Sequence, residues 1–346
     1  MGWWQVNADT LAGSRFVVSP LAEVTASLQT LAFGTAAHPG ERAWIDAHRP
    51  GYRDRLAADP VTAQLVRAAL GTGWNAAFIT PTPNTGASAS ASTSTSPSTT
   101  ANREPSFEEE LARVRETAPE AAQADLVVSL GGPLPALLQR ADLPERAAGL
   151  LEWVWREAVL PSWPRRRRII EADVVARTAQ LSTGGWAAAL DDMRPGMRWL
   201  GEGRLQINTR NYPPREISGA QLLFVPVTPR RGWVSWDAPH RYAVVYPCSG
   251  ALAEADRAAA LAEAPGPLGT LLGPARAAVL VLLDAPKSTT QLVALTGQGL
   301  GSVGRHLRIL LDARLIDRRR SGRSVLYYRT GIGEALVQAQ TPAKQH

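Results

Sequence analysis

Residues 288–330 read STTQLVALTGQGLGSVGRHLRILLDARLIDRRRSGRSVLYYRT, and their periodicity decides the fold of this part of the chain. Residues 288–295 have the spacing of a short helix, with Ser288 as N-cap and Gln291 three residues on, the capping-box pattern. Thr296, Gly297, Gln298 and Gly299 interrupt it. Residues 300–313 predict a second helix, because Val303, Leu307 and Leu310 recur every three or four residues on one face. After Arg314 the period shortens to that of a strand. Residues 315–320 and 323–329 flank Ser321-Gly322, a break suited to a hairpin.

Helix, tight turn, helix and basic hairpin, in that order, make a winged helix-turn-helix. In that fold the second helix enters the major groove and the hairpin reaches phosphates beside it. The outward face of the second helix carries Gly301, Ser302, Arg305 and Arg308. Arg305 is placed for bidentate contact to a guanine edge, Ser302 for a base or phosphate, and Arg308 for phosphate. Ser288, Thr289 and Thr290 open the preceding helix, where free backbone N–H groups attract a phosphate. In the wing, residues 318–320 and 323 alternate sides, so only part of the set faces DNA; Arg319 and Arg323 are the candidates. His306 reads as a structural histidine at the helix–wing junction.

Residues 268–336 resemble the ArsR-type family of bacterial transcription regulators. The resemblance rests on Ala278-Val279-Leu280, on the run from Ser302 to Leu310, and on Ala313-Arg314-Leu315-Ile316. It continues through residues 319–323 and Val325-Leu326-Tyr327 to Gly333-Glu334-Ala335-Leu336. It implies a DNA-binding transcription regulator acting on double-stranded DNA, and a homodimer is expected because half-site reading usually uses two-fold symmetry. Two positions depart from the family pattern: Gly304 stands where Ser or Thr is usual, and Leu300 where a polar residue or Pro is usual. Gly301 and Gly304 each cost a helix interior about 1 kcal/mol relative to Ala and offer DNA no side chain. They motivate an alternative, a protein-interaction module whose winged helix no longer reads DNA. The wing arginines favour DNA.

Many ArsR-type relatives sense metals, but thiolate sensing needs two or three converging cysteines. This chain has only Cys248, and residues 289–295 contain no Cys, His, Asp or Glu. Residues 333–340 offer only Glu334. No metal site and no cofactor are expected, and any effector is an organic small molecule or a protein bound by residues 1–250.

From Pro267 onward there are eleven Lys and Arg against four Asp and Glu, a balance of +7 in a chain of net charge +6. The basic character therefore belongs to the winged-helix end, the electrostatic footprint of a nucleic-acid-binding module. In 346 residues there is room for two domains, and the hydrophobic content of 45% is that of a globular protein. No apolar run reaches about 18 residues, and the first residues lack a signal-peptide pattern, so no membrane partner and a cytoplasmic location are expected.

The fold expected for residues 1–250 is α+β, mostly helical with a small antiparallel sheet. Ser19-Pro20 and Asp59-Pro60 each place a cap before a helix-opening proline. The first of these helices has Leu21, Val24, Leu28 and Leu31 on one face, and a further helix is expected over 41–48. Residues 82–105 read as a disordered loop, because the run 86–102 within them is almost wholly Ser, Thr, Ala and Pro. Ser106 with Glu109 repeats the capping box. Helices are expected over 106–117, 121–130, 134–141, 145–160 and 164–182, the last with its arginine run balanced by Glu171 and Asp173. Strands are expected at 205–208, 221–227, 232–236 and 241–246. Residues 251–266 read as a connector to a winged helix over 267–340, with one helix at 252–262.

Residues 15–23, Trp163-Pro164 and residues 244–247 resemble the N-terminal domain attached to some actinobacterial ArsR-type regulators, which implies a dedicated regulator architecture and names no ligand; effector sensing or dimerisation is the role expected of residues 1–250. His38, His48 and His240 lack metal or catalytic spacing, and Gly131-Gly132-Pro133 lacks the residues of a phosphate loop. An enzyme is not expected. Nine of the eleven tryptophans lie between residues 44 and 236, as core or as the lining of an effector pocket.

Overall fold

The computed structural model describes residues 2–36, 39–71, 73–84, 105–191, 193–209, 212–248, 267–283, 286–296, 298–321 and 324–338. Two compact units emerge: residues 1–37, 41–164 and 190–248 form one, and residues 38–40, 165–189 and 249–346 the other.

The first unit is built around α2, Pro20–Phe33, which follows the short elements β1 (Gly2–Gln5), α1 (Ala8–Ala12) and β2 (Arg15–Phe16). Ser19 caps α2 as its sequence predicts, with Pro20 in the first turn. Its Oγ accepts from the Ala22 N–H at 3.0 Å and donates to Glu110 at 2.7 Å. The other Glu110 oxygen accepts the Leu21 N–H at 2.9 Å, so two free donors at the helix start are satisfied inside the core. Spacing predicts one apolar face for α2; the structure buries the helix on every side from Pro20 to Leu31. Leu21, Val24, Leu28 and Leu31 meet the helical core, while the small Ala22 and Ala26 lie against a sheet.

That helical core is made with α3 (Pro39–Ala58), α4 (Pro60–Ala69), α5 (Phe107–Arg115), α6 (Pro119–Leu130) and α7 (Leu143–Val154). The caps Asp59 and Ser106 form as predicted, the second as a full capping box. Helix α3 runs through Pro50 to Ala58, past the expected end at 48. Tyr52, beyond the proline, is buried in the core, and that burial offsets the lost hydrogen bond. The helix expected over 134–141 shrinks to one 3-10 turn, Ala136–Leu138, because Pro135 holds an extended backbone before it. Beyond α7 a π-turn, Trp155–Val159, and a 3-10 turn, Leu160–Ser162, lead into α8 (Trp163–Leu190), which kinks at Gly185 (φ 69) and whose residues 165–189 belong to the second unit. Arg167 pairs with Glu171 at 2.8 Å one turn on, as the charge pattern predicts.

The expected antiparallel sheet is corrected: among the described residues this unit has two sheets, and both are mixed. One has the order β3 (Arg198–Trp199), β4 (Arg204–Asn208), β1, β5 (Arg215–Glu216). The other has the order β2, β6 (Gln221–Val227), β8 (Arg241–Pro247), β7 (Trp233–Asp237). In it β6 and β8 run parallel, from Gln221↔Arg241 to Val227↔Pro247, with β7 antiparallel on the far edge of β8. Continuous burial along β6 and β8 is the pattern of strands covered on both faces, which parallel pairing accompanies.

The expected loop over 82–105 falls largely on residues outside those described, as do the connector 251–266 and its helix. At its start, however, Thr82, Pro83 and Asn84 are held in the fold. Arg113 donates to the Thr82 carbonyl at 2.5 Å, and Arg241 to the Pro83 carbonyl at 2.9 Å. Deleting residues 86–102 leaves these anchors in place, and loop-closure entropy changes slowly with length. The deletion is therefore expected to leave the melting temperature nearly unchanged. A drop of several degrees in a thermal scan would show that the segment packs.

In the second unit the C-terminal part carries α9 (Pro267–Leu272), α10 (Pro274–Leu282), β9 (Lys287–Ser288), α11 (Thr289–Thr296), α12 (Leu300–Asp312), β10 (Ile316–Ser321), β11 (Ser324–Arg329) and α13 (Gly331–Gln338). Val279, Leu280, Leu292, Val303, Leu307, Leu310 and Ile316 make its core. The wing is a three-stranded sheet of order β10-β11-β9, one strand more than the sequence shows.

Candidate nucleic-acid interface

The capping box at the start of α11 is present in both directions. The Ser288 N–H donates to Gln291 Oε1 at 2.7 Å, and the Gln291 N–H donates to Ser288 Oγ at 3.3 Å. Ser288 is 5% exposed and pairs with Leu326 of the wing, so its side chain orients α11 rather than facing outward. Thr289 is half-buried and Thr290 is exposed at the same helix start.

Helix α12 turns Val303, Leu307 and Leu310 into the core, as its spacing predicts. Arg305 and Arg308 stand exposed on the opposite side, and neither meets a carboxylate among the described residues. Ser302 lies 3.4 Å from Gln298 Oε1 and 3.4 Å from His306 Nε2, so its hydroxyl bridges neighbours on its own side of the helix. His306 keeps Nδ1 buried without a partner. Its pKa is lowered, first by burial and then by Arg276 and Arg305, so the neutral form is favoured. The helix ends with Arg314 at φ 53, while the Leu315 N–H donates to the Leu310 carbonyl at 3.0 Å and the Arg314 N–H to Leu311 at 2.9 Å. That left-handed ending aims the chain into β10.

The wing pairs from Ile316↔Arg329 to Ser321↔Ser324, so β11 begins one residue later than expected. Arg323 lies outside the described residues. Arg318, Arg319 and Arg320 are all exposed. Arg319 is registered with Leu326, and Leu326 with Ser288, so one face of the wing brings Arg319 to the side of the α11 start. Arg318 and Arg320 lie on the other face with Tyr327 and Val325.

Three features of this unit escape the sequence reading. Arg329, at the end of the wing, points inward. It donates to the Leu280 carbonyl at 2.9 Å and the Val281 carbonyl at 2.5 Å, and pairs with Glu334 at 2.7 Å. It thereby caps the end of α10 and ties β11 to α13. Gly333 is required by close approach, since a Cβ there would meet the Leu315 carbonyl oxygen at 2.0 Å. Leu300 is 63% exposed at the first turn of α12. Helical period alone places it at the edge of the inward face. Side chains tilt toward the helix start, however, and there is no earlier turn for it to cover.

In the first unit the tryptophans divide. Trp4 and Trp233 are buried, and Trp155 stacks on Phe107 at 4.6 Å. Trp74 packs against Tyr212 and Trp236, with the Arg215 guanidinium 4.2 Å over the Trp236 ring. A cleft of about 540 Å³ is lined by Arg55, Asp59, Thr62, Glu145, Arg146 and Leu150, with no tryptophan in its wall. Arg146 pairs there with Asp59 at 2.8 Å. Cys248 is buried, and no group of three His, Cys, Asp or Glu side chains suited to a metal ion occurs among the described residues. No helix among them is long and apolar enough to cross a membrane.

The sequence model of the bacterial regulatory protein, arsR family, matches residues 274–318, from α10 to the middle of β10. This match and the geometry together define an ArsR-type helix-turn-helix, a domain of DNA-binding transcription regulation. No curated protein and no solved structure gives a significant match to the chain.

Proposed function

We propose that the chain is a cytoplasmic transcription regulator that binds double-stranded DNA as a homodimer, with α12 in the major groove and the wing on flanking phosphates. One observation carries this reading. Arg305 and Arg308 stand exposed on α12 without carboxylate partners among the described residues, in the segment that matches the ArsR-type family. In this reading Arg305 reads a guanine edge, and Arg308 and Arg319 neutralise phosphates with Arg323. Thr289 and Thr290 offer a phosphate the start of α11. The first unit senses an organic effector or supplies the dimer contact, and carries out no catalysis. The test is a gel shift on the DNA upstream of the protein's own coding region, repeated across salt concentrations. A shifted band that weakens steeply with salt supports the reading. Absence of any shift at low salt favours the alternative protein-interaction module, to which the bare Gly301 and Gly304 also point.

Control by a metal ion is not expected. Glu334, the one carboxylate of α13, is already paired with Arg329 at 2.7 Å. Micromolar zinc, cadmium or arsenite is expected to leave the DNA complex intact in a titration with each ion. Release by one of them, reversed by chelator and lost in Cys248→Ser, would overturn that expectation.

A further inference from the structure

The start of α12 has an unusual make-up: Leu300, at the edge of the inward face, is exposed, and Gly301 and Gly304 are exposed on the outward side that carries Arg305 and Arg308. A Cβ added at Gly301 or at Gly304 would meet no atom within 4 Å, so the fold itself makes no demand for glycine at either place. At Gly304, past the first turn, glycine is a standing cost to the helix. Leu300, beside this bare backbone, is 63% exposed and leaves an apolar side chain in water. Two unfavourable choices thus lie at the start of the helix whose outward side carries the two exposed arginines. Both become favourable if a surface with an apolar group approaches the helix more closely than side chains at 301 and 304 would permit. In the major groove the apolar group at a base edge is the 5-methyl of thymine.

We propose that Leu300 is a specificity-determining residue that packs on a thymine 5-methyl group, and that bare backbone at Gly301 and Gly304 lets α12 lie close enough for that contact. The inference rests on the DNA-binding reading above. It adds a preference for a thymine at one fixed position in each half-site, read by apolar contact, beside the guanine assigned to Arg305.

The experiment starts from a random-sequence DNA pool selected with the full chain, so that no operator has to be assumed. Each thymine of the enriched site is then replaced in turn by deoxyuridine, which removes only the methyl group. Burying one methyl contributes about fourfold in affinity. One thymine per half-site is expected to show that loss in the wild type and no loss in Leu300→Ala. Gly304→Ala is expected to keep or raise the melting temperature while weakening binding to the same site, because the free fold has room for its methyl and the complex does not. Three results would count against these expectations. No enriched sequence overturns the DNA reading and this inference with it. An enriched site whose uracil substitutions are silent overturns the inference alone. So does a methyl-sensitive thymine that stays sensitive in Leu300→Ala, since another residue then reads it.

Discussion

Arg305→Ala is expected to weaken binding to the specific site by about 1–3 kcal/mol, roughly 5- to 150-fold, and binding to random DNA much less. The guanidinium is exposed on the outward face of α12 and has no carboxylate partner among the described residues to hold it back. A bidentate contact to a guanine is lost on removal of the fork, whereas random DNA offers the same residue only phosphates. Arg308→Ala and Arg319→Ala are expected to behave differently. Each should weaken specific and random binding alike and lower the slope of log affinity against log salt by about 1. Fluorescence anisotropy with a selected and a scrambled duplex, at several salt concentrations, separates the two patterns. Equal losses on both duplexes for Arg305→Ala would mean that it touches phosphate alone.

Glu110→Ala is expected to cost the first unit about 3 kcal/mol or more. It strips the acceptor from the Leu21 N–H and from Ser19 Oγ at the buried start of α2, and each orphaned buried group costs about 1–3 kcal/mol. The same site makes stability depend on pH. Burial raises the Glu110 carboxyl from its usual range to about 7, against the lowering effect of the Leu21 N–H and Ser19 hydroxyl. Between the ordinary glutamate value of about 4.3 and about 7, the folded state holds a proton that the unfolded chain has released. Stability therefore falls as pH rises through that window and levels off above it. Glu110→Gln keeps an acceptor and cannot ionise, so this contribution to the slope should vanish. Urea unfolding at pH 5, 6, 7 and 8 tests this, read by tryptophan fluorescence, since ten of the eleven tryptophans lie in the first unit. Parallel stability curves for the wild type and Glu110→Gln would sink the assignment.

Features set by neighbours in the chain were legible. Ser19, Asp59, Ser106 and Ser288 cap their helices as read, because a cap is a bond between a side chain and a backbone N–H two or three residues on. The α12 periodicity and the wing hairpin were legible for the same reason. Strand partnership was not. The run from Gln221 to Val227 is recognisable as a strand, but nothing in it shows that Arg241–Pro247 will lie beside it in parallel, with Trp233–Asp237 displaced to the far edge. Charge was legible as a sum and not by position. Arg329 and Arg319 are the same residue type on one hairpin, yet the first is bound to carbonyls inside the fold and the second is exposed. Of the candidate site, Arg305 and Arg308 emerged on the expected face. Ser288 turned out to cap α11 and Ser302 to bond within its own helix, which spacing alone could not distinguish from a contact outward.

The pairing of β1 and β2 has a consequence during synthesis. Trp4 is registered with Leu205 and with Arg215, and Phe16 with Phe224. A ribosome adding about 5–20 residues per second takes roughly 10–40 s to travel from Phe16 to its partner. For an interval of that length after they emerge, Trp4 and Phe16 have no strand to join, and α2 has no sheet to cover Ala22 and Ala26. The nascent chain should therefore hold Trp4, Phe16 and the Ala22–Ala26 side of α2 open until about residue 227 has left the exit tunnel, which is the period in which a chaperone would engage it.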